Sequence, residues 1–448
     1  FWEMTALCSY ALISFYNDDP KAVRGGIKAL IITQFGGIGL LAGTLATYVY
    51  LGDYQISTLL ANAQTLPGGV LSFIAFAFLF AAMAKSAQVP FHTWLPDAME
   101  APTPVSALIH AATMVNAGVY LLVRFYPAFA EVTGWRTAVL LVGLITALLA
   151  ALTAVVATDL KRVLAYSTVS QLGYMVYAIG VGGMFASQFH LFSHAVFKAL
   201  LFLGAGAVIH ATGTRDMRQM GGLRKQMPVV SVVFIIGAAA LAGLPILNGF
   251  WSKELILEGG LENGPIWAYG GMVLGAGITA YYTLRMVSLV FFGQPQGKKQ
   301  VHDAGLPMKT ALIPLAFGTL TTWLLVGLFG SWLQATLPYH ELHIMTVGEM
   351  LLRIVSEPAT WLALGVIALG IVAWLLRDRL AGLARALSGF SRASANGFGA
   401  ETLNRSAVNL TQKAAAALQV SQTGQLNWNV LGIVAALVVV LLVLAGAA

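Results

Sequence analysis

The chain has 448 residues, of which 58% are hydrophobic and only 10% are charged, and its formal net charge is +7. Soluble globular domains carry about 25% charged residues, so this composition cannot cover a soluble surface of this size. It excludes an ordinary cytosolic enzyme, a disordered scaffold and a nucleic-acid binder. It predicts a polytopic membrane protein.

Apolar runs of roughly 17–25 residues predict membrane-spanning helices. The first run, at 1–17, is a partial span, and because the chain begins with Phe1 inside it, we expect a fragment whose upstream helices are missing. Eleven full spans are predicted after it: 27–51, 69–89, 107–126, 136–157, 160–182, 185–211, 229–257, 265–292, 310–333, 358–376 and 428–446. The span at 229–257 is interrupted. The predicted fold is an all-α membrane helix bundle.

Lysine and arginine residues are concentrated in alternate loops, which is the pattern that orients membrane proteins with the basic loops on the cytoplasmic side. One set of loops holds only Arg124, Arg136 and Arg353. The other set holds eighteen basic residues: Lys21, Arg24, Lys28, Lys161, Arg162, Arg215, Arg218, Arg224, Lys225, Lys298, Lys299, Lys309, Arg377, Arg379, Arg385, Arg392, Arg405 and Lys413. We expect this second set to be cytoplasmic, and the protein to lie in a bacterial inner (plasma) membrane.

A few ionisable residues remain within the predicted spans, where a charge at the bilayer centre costs about 2.5–3.5 kcal/mol even on the lenient insertion scale. Each is therefore expected to face protein or water and is a candidate functional residue. They are Glu3, Lys85, Lys198, Lys253, Glu254 and Arg285.

Glu3 is the only acid in its segment, and it is either half of a structural ion pair or a carboxylate that controls the protonation of a neighbouring base. Lys85 ends the apolar stretch LSFIAFAFLFAAMAK and is followed by Pro90 and Pro96. Because proline breaks helices, and free backbone groups at membrane depth need protein or water beside them, this region predicts a broken helix that lines a hydrated cavity. The alternative is a lysine that snorkels at the end of a span.

Histidines supply further candidates for proton transfer. His110, in SALIHAATMVNAG, is either a relay group or a neutral hydrogen-bonding partner between helices. His190, His194 and Lys198 are spaced at i, i+4 and i+8, so they lie on one face of a helix. This stripe predicts a proton wire more strongly than a polar packing seam or a metal site.

Lys253 and Glu254 lie in AGLPILNGFWSKELIL, where Gly243, Pro245 and Gly249 interrupt the span. Two interrupted spans in one chain indicate internal repeats with a functional site at the breaks. This second region is therefore a second candidate functional site.

The remaining distinctive residues have structural interpretations. Lys161 is either an interfacial anchor or a proton entry point, and Arg285 is a structural partner for a carbonyl or carboxylate. Gly39 and Gly43 have the small-xxx-small spacing of close helix packing, and Cys8, the single cysteine, is a free structural thiol. No nucleotide, haem or metal site is predicted.

Several long stretches of the chain resemble the antiporter-like subunit L of respiratory complex I, the NADH–quinone oxidoreductase: AKSAQVPFHTWLPDAMEAPTPVSALIHAATMVNAGVYL, TDLKRVLAYSTVSQLGYM, FHLFSHAVFKALLFL, MGGLRKQMPVV and GFWSKELIL. The collinear matches cover nearly the whole chain to about residue 293. The large subunit of Mrp-type cation/proton antiporters and membrane hydrogenase subunits share much of this pattern.

The resemblance implies two inverted five-helix bundles, each with a broken helix, and it assigns roles to residues. By resemblance Glu3 is the ion-pair glutamate, Lys85 the first-channel lysine, and His110 a bridging group. His190, His194 and Lys198 match the central relay, and Lys253, beside Glu254, matches the terminal lysine. The implied domains are the remainder of the first bundle at 1–126, the second bundle at 127–293, additional helices at 294–376, a cytoplasmic-side lateral segment at 377–427 and a final anchor at 428–448.

Two features depart from subunit L. The segment LIITQFGGIG is closer to the Mrp version, with Gln34 and Gly37 uncharged. Residues 377–427 could reach only about 75 Å as an unbroken helix at 1.5 Å per residue, and glycines interrupt them, so a shorter amphipathic helix is expected there.

The predicted function is proton translocation by a membrane subunit of a complex I-like enzyme. Opening the Glu3–Lys85 pair would release a proton that passes through His110 and the α-helical stripe to Lys253. No cofactor is expected in this chain, and NADH, FMN, iron–sulfur clusters and quinone are expected in partner subunits. Other membrane subunits, the lipid bilayer and protons, or Na⁺, are the expected partners, and nucleic acid is not. The alternatives are an Mrp-type Na⁺/H⁺ antiporter subunit, a hydrogenase-linked pump and, least favoured, a structural scaffold.

Overall fold

The computed structural model describes residues 1–294, 301–380, 382, 389, 393, 397–421, 430–432, 434–438 and 442. Within these residues the fold is helical, and no strand is present. The predicted loop cations Lys298, Lys299, Arg385 and Arg392 lie outside the described residues. The last predicted span, 428–446, is described only in part, and its described positions are helical.

The chain divides into two compact units, Phe1–Ala395 and Asn396–Ala448. The helices of the first unit are α1 (Trp2–Ile13), α2 (Pro20–Leu51), α3 (Ile56–Asn62), α4 (Gly68–Lys85), α5 (Trp94–Asp97), α6 (Thr103–Ala111), α7 (Asn116–Phe129), α8 (Trp135–Val156), α9 (Leu160–Gly180), α10 (Met184–Thr212), α11 (Leu223–Gln226), α12 (Pro228–Ala242), α13 (Asn248–Asn263), α14 (Ile266–Phe291), α15 (Leu306–Thr321), α16 (Val326–Thr336), α17 (Val347–Ser356) and α18 (Pro358–Leu375).

The second unit contains one described long helix, α19 (Ala400–Ser421), of 22 residues. At 1.5 Å per residue it is about 33 Å long. It falls inside the predicted lateral segment 377–427, whose full helical length and lateral position stay predictions.

Eight helical segments of the described chain are long and apolar enough to cross a membrane: Pro20–Leu51, Gly68–Lys85, Thr103–Phe129, Trp135–Val156, Met184–Thr212, Ile266–Phe291, Leu306–Thr336 and Pro358–Leu375. Each overlaps a predicted span, which confirms the all-α membrane fold. The predicted span at 160–182 corresponds to α9, which is buried along nearly its whole length and is rich in polar side chains. The total number of spans stays a prediction.

The first helix break lies elsewhere than the sequence indicates. The proline-rich stretch after Lys85 forms short buried turns around α5, and the break comes later, at residues 112–115 between α6 and α7. No proline is needed there because side chains satisfy the freed carbonyl groups: the Asn116 amide donates to the Ala111 carbonyl at 2.8 Å, and the Thr113 hydroxyl donates to the Leu108 carbonyl at 2.8 Å.

The second break lies where it is predicted, between α12 and α13. Gly243 ends α12 with φ +82°, a left-handed conformation that glycine adopts without strain. One carbonyl freed at this end, that of Leu241, accepts a hydrogen bond from Lys253 Nζ at 2.9 Å. The break and the buried lysine are therefore one structural feature.

The predicted small-residue pair, Gly39 and Gly43, lies where α2 packs closely against α4. A Cβ atom at Gly39 would lie 2.7 Å from the Ala77 carbonyl oxygen, and one at Gly43 would lie 2.6 Å from the Phe78 ring. Both glycines therefore let the two helices approach, as predicted.

Candidate functional site

Three of the predicted relay residues lie on α10 and are fully buried. His190, His194 and Lys198 each have 0% exposure, and the ring centroids of the two histidines are 6.3 Å apart. α10 packs against α6, α9, α12 and α13. The stripe therefore faces protein and forms the centre of the site.

His190 connects α10 to the helices on either side of it. Its Nδ1 lies 2.9 Å from the Ser252 hydroxyl on α13, and its Nε2 lies 3.0 Å from the Gln171 side-chain oxygen on α9. Both partner oxygens can accept a hydrogen bond. The ring can therefore take up or release a proton at either nitrogen.

His194 and His110 are also buried, and neither ring has a hydrogen-bond partner within the described chain. The His110 ring packs against Phe202 with centroids 4.6 Å apart. Both histidines lie within electrostatic range of Lys198. Buried polar groups of this kind are usually bonded to ordered water, so the two rings can extend a hydrogen-bonded path on either side of Lys198.

The buried lysines share one kind of contact, a hydrogen bond from the ammonium group to a backbone carbonyl. Lys198 Nζ donates to the Leu164 carbonyl at 3.2 Å and to the Ser167 hydroxyl. Lys161 Nζ donates to the Ala101 carbonyl at 2.6 Å. A carbonyl orients the ammonium without neutralising its charge, so these bonds leave the lysines able to exchange protons.

Lys253 and Glu254 lie together at the start of α13, each with 1% exposure. Lys253 Nζ, besides its bond to the α12 carbonyl, lies 5.8 Å from the centroid of the Tyr174 ring. It is within electrostatic range of His190, Lys198 and Glu254. The structure therefore brings the α10 stripe and the predicted terminal pair into one buried cluster.

Lys85 lies at the end of α4 and contacts α1. Its Nζ donates to the Trp2 carbonyl at 2.8 Å and to Thr5 Oγ1 at 3.3 Å, and it lies 4.8 Å from the centroid of a Trp2 ring. Glu3 is on the same helix, but its carboxylate lies against α2, where a side chain at Gly37 would collide with it. Lys85 lies within electrostatic range of Glu3, but the hydrogen bonds of its ammonium group go to Trp2 and Thr5.

A cavity of about 570 Å³ opens at the predicted cytoplasmic side of the bundle. Lys161 lies within electrostatic range of three residues that line it, Glu100, Asp159 and Arg215. Arg215 bridges its two acids, at 2.7 Å from Glu100 and 2.8 Å from Asp159. In the adjoining loop, side-chain hydrogen bonds from Arg218 lower the pKa of the Asp216 carboxyl below its usual value. Lys161 itself is 3% exposed, which favours the proton-entry interpretation over a surface anchor.

Several site residues were not singled out from the sequence. Ser167, Gln171 and Tyr174 on α9 contact Lys198, His190 and Lys253 respectively. Their spacing of i, i+4 and i+7 places them on one helix face. This polar stripe in YSTVSQLGY was the signal that could have identified them.

Arg285 donates to the Ala157 carbonyl at 2.7 Å, which is the structural contact predicted for it. Among the described residues, no group of three His, Cys, Asp or Glu side chains could hold a metal ion.

Comparison with known proteins gives a family match over more than half of the chain. The family described as "NADH:quinone oxidoreductase/Mrp antiporter, TM" matches residues 1–279. NADH-quinone oxidoreductase subunit L of Escherichia coli (strain K12) is 44% identical over 342 residues, 75% of this chain and 55% of that protein. NADH-quinone oxidoreductase subunit L of Mycobacterium tuberculosis is 42% identical over 381 residues, 83% of this chain and 59% of that protein.

A solved structure of the Mrp complex from Dietzia sp. DQ12-45-1b is similar over 100% of this chain and 49% of the matched chain, with a TM-score of 0.81 and 32% sequence identity. A membrane-bound sulfane sulfur reductase, described as an archaeal respiratory membrane complex, matches 75% of this chain and 69% of its own, with a TM-score of 0.66 and 25% identity. The chain spans about half the length of the curated relatives it matches. These similarities confirm the resemblance drawn from the sequence.

Proposed function

Because this chain belongs to the transmembrane family of NADH:quinone oxidoreductase and Mrp antiporter proteins, we propose that it is a proton-translocating membrane subunit of a complex I-like NADH–quinone oxidoreductase. Redox chemistry takes place in partner subunits that carry NADH, FMN, iron–sulfur clusters and quinone. This chain supplies the proton path through the membrane.

The observation that carries the proposal is the buried cluster of proton-exchanging side chains. His190, His194 and Lys198 are completely buried, and Lys253 and Glu254 are 1% exposed. Burying ionisable groups in a membrane is costly, and these five are connected by electrostatic interactions that run from His194 through Lys198 and Lys253 to Glu254. Their arrangement supports stepwise proton transfer across the bundle.

The proposed path has an entry, a centre and an end. Lys161 receives protons from the cavity that Arg215, Glu100 and Asp159 line. His110, within electrostatic range of both Lys161 and Lys198, connects the entry to the α10 stripe. Lys253 and Glu254 receive the proton after His190.

Lys85 is proposed to control this path through charge. The breaking of its bonds to the Trp2 carbonyl and the Thr5 hydroxyl would let the ammonium move toward or away from Glu3. Such a movement changes the electrostatic field along the helix bundle, and the field change drives the next proton transfer.

The experiment compares Lys85→Ala and Lys85→Arg in membrane vesicles that carry the assembled complex. We expect the alanine variant to lose proton uptake at least tenfold, and the arginine variant to fare better because it keeps the positive charge. Lumen acidification and electron-donor oxidation are measured in the same vesicles. Lys225→Ala, at an exposed lysine on the short helix α11, is the matched control. Normal proton uptake by Lys85→Ala would contradict the proposal.

A second candidate is a subunit of an Mrp-type Na⁺/H⁺ antiporter, which the similarity of this whole chain to 49% of a chain in the Dietzia Mrp complex favours. In that case a Na⁺ gradient alone would drive proton movement in the same vesicles. Proton movement that depends on an electron donor and not on Na⁺ would exclude this candidate.

A further inference from the structure

We propose that three carboxylates on α13, Glu254, Glu258 and Glu262, form the exit route by which a proton leaves Lys253 for the outer face, and that Arg353 on α17 controls its last step. The inference rests on the proposed function, which it deepens by naming the release path. Below, these four residues are called the exit ladder.

The three glutamates are spaced at i, i+4 and i+8, so they lie on one face of α13 and span about 12 Å along the helix axis. Their exposure rises in the same order. Glu254 is 1% exposed, the Glu258 side chain 5% and the Glu262 side chain 47%. The three carboxylates are therefore progressively more accessible to water from the buried lysine outward.

The innermost carboxylate supplies an independent reason to infer proton traffic. Both oxygens of Glu254 are buried and accept no hydrogen bond within the described chain. The Thr360 hydroxyl on α18 is near enough to interact with this carboxylate, although neither carboxylate oxygen accepts a well-formed hydrogen bond from it. A buried carboxylate without donors is strongly unfavourable when charged, so Glu254 is suited to hold a proton.

Two tyrosine hydroxyls border the ladder and are likewise buried without a hydrogen-bond partner in the described chain, Tyr177 on α9 and Tyr269 on α14. Tyr269 lies within electrostatic range of Glu254. The Tyr177 hydroxyl packs on the α13 backbone, since a Cβ atom at Gly260 would lie 2.5 Å from it. Gly260 thus leaves room for a hydroxyl between the turns that carry Glu258 and Glu262.

Arg353 contacts both outer carboxylates. Its Nε donates to Glu258 Oε1, and its Nη2 donates to the Glu262 carboxylate at 3.0 and 3.1 Å. An arginine stays protonated in proteins, so Arg353 cannot itself carry the proton. It can hold Glu258 ionised until a proton arrives and then remain with Glu262.

Each transfer balances in protons and charge. The Lys253 ammonium gives one proton to the Glu254 carboxylate, which leaves a neutral amine and a neutral carboxylic acid. The acid passes that proton to Glu258, whose pairing with Arg353 opens. Glu258 releases it to water beside Glu262, and every carboxylate returns to its ionised form.

The experiment uses vesicles with the assembled complex and reads proton uptake per electron transferred. Lys253→Ala defines complete loss of this path. We expect the residual uptake of Glu258→Gln to be no more than twice that of Lys253→Ala. Glu262→Gln should retain at least half of wild-type uptake, because water can replace an exposed carboxylate. Glu341→Gln, at an exposed acid in the loop before α17, is the matched control.

Arg353→Gln distinguishes a purely structural role of Glu258 from a proton-carrying role, because it breaks the same ion pair and leaves the carboxylate in place. If the pair only fastens α17 to α13, Glu258→Gln and Arg353→Gln will lose uptake equally, and the inference is overturned. If Arg353→Gln loses less uptake than Glu258→Gln, and Glu258→Asp retains more uptake than Glu258→Gln, the carboxylate is the carrier and Arg353 controls the release of its proton.

Failure of the inference and failure of the proposed function give different results. Wild-type uptake by Glu258→Gln together with loss by Lys253→Ala would overturn the exit ladder and leave the proposed function standing. Wild-type uptake by both Lys253→Ala and Lys85→Ala would overturn the proposed function.

Discussion

The buried ammonium groups of this protein bind backbone carbonyls: Lys85 binds Trp2, Lys198 binds Leu164, and Lys253 binds Leu241. A hydrogen bond to a charged group contributes about 1.5–3 kcal/mol, whereas removing an ion from water costs several kcal/mol even after relaxation. The bonds therefore do not offset the cost of burial. Lysines at these positions make physical sense where the protein uses their protons.

At the residue scale, we predict that Gln171→Leu impairs proton transfer at His190 beyond its effect on stability. The substitution removes the partner of His190 Nε2 and leaves that nitrogen unpaired, which costs about 1–3 kcal/mol of folding free energy. Proton uptake is expected to fall about fivefold in donor-energised vesicles.

Ser170→Ala is the control on the same helix, because the Ser170 hydroxyl donates to the Ala147 carbonyl at 2.9 Å and does not contact the relay. It should lower thermal stability by a similar amount and leave proton uptake unchanged. Equal losses of uptake in the two variants would show that Gln171 acts only through packing.

The two broken helices show how one architectural element is built in two ways. The α12–α13 break depends on glycine and proline, and a lysine caps the freed carbonyl. The α6–α7 break depends on Thr113 and Asn116, whose side chains take over carbonyls that the helix leaves free. Proline marks the α12–α13 break in the sequence. The α6–α7 break has no such marker, because threonine and asparagine are common in unbroken segments too.

At the element scale, we predict that Gly39→Val weakens the packing of α2 on α4. Its Cβ would meet the backbone oxygen of Ala77, which cannot move as a side chain can. Overpacking of this kind costs about 1–3 kcal/mol, and thermal denaturation in detergent measures the loss.

Gly69→Ala is the matched control, because nothing lies within 4 Å of a Cβ atom at that position in the first turn of α4. Replacing a helical glycine with alanine stabilises by about 0.5–1 kcal/mol. A loss of stability in the control equal to that of Gly39→Val would refute close packing as the cause.

For the whole molecule, the asymmetry of basic residues predicts sidedness. After Cys8→Ser removes the exposed native thiol, single cysteines are placed at two exposed sites, Lys225→Cys and Glu341→Cys. A membrane-impermeant maleimide should label the first from the cytoplasmic face and the second from the opposite face. Labelling of both from one face would show that the predicted alternation of loops is wrong.

Hydropathy and residue type, which are local properties, were enough to predict the membrane character, the helical fold and the principal buried titratable residues. The predicted span 358–376 differs from α18 by a single residue at its end. The i, i+4, i+8 stripe on α10 was also predictable, because helical periodicity acts within one segment. The family resemblance added roles to the same residues.

Only the tertiary structure decided which groups meet. Arg353 reaches Glu258 and Glu262 across more than 90 positions of sequence, and Ser252 and Gln171 meet at His190 from two different helices. The Glu3 carboxylate lies against α2, and the hydrogen bonds of the Lys85 ammonium go to Trp2 and Thr5. Such contacts depend on how helices distant in sequence rotate and pack against one another, and neither composition nor the pattern of a single helix carries that information.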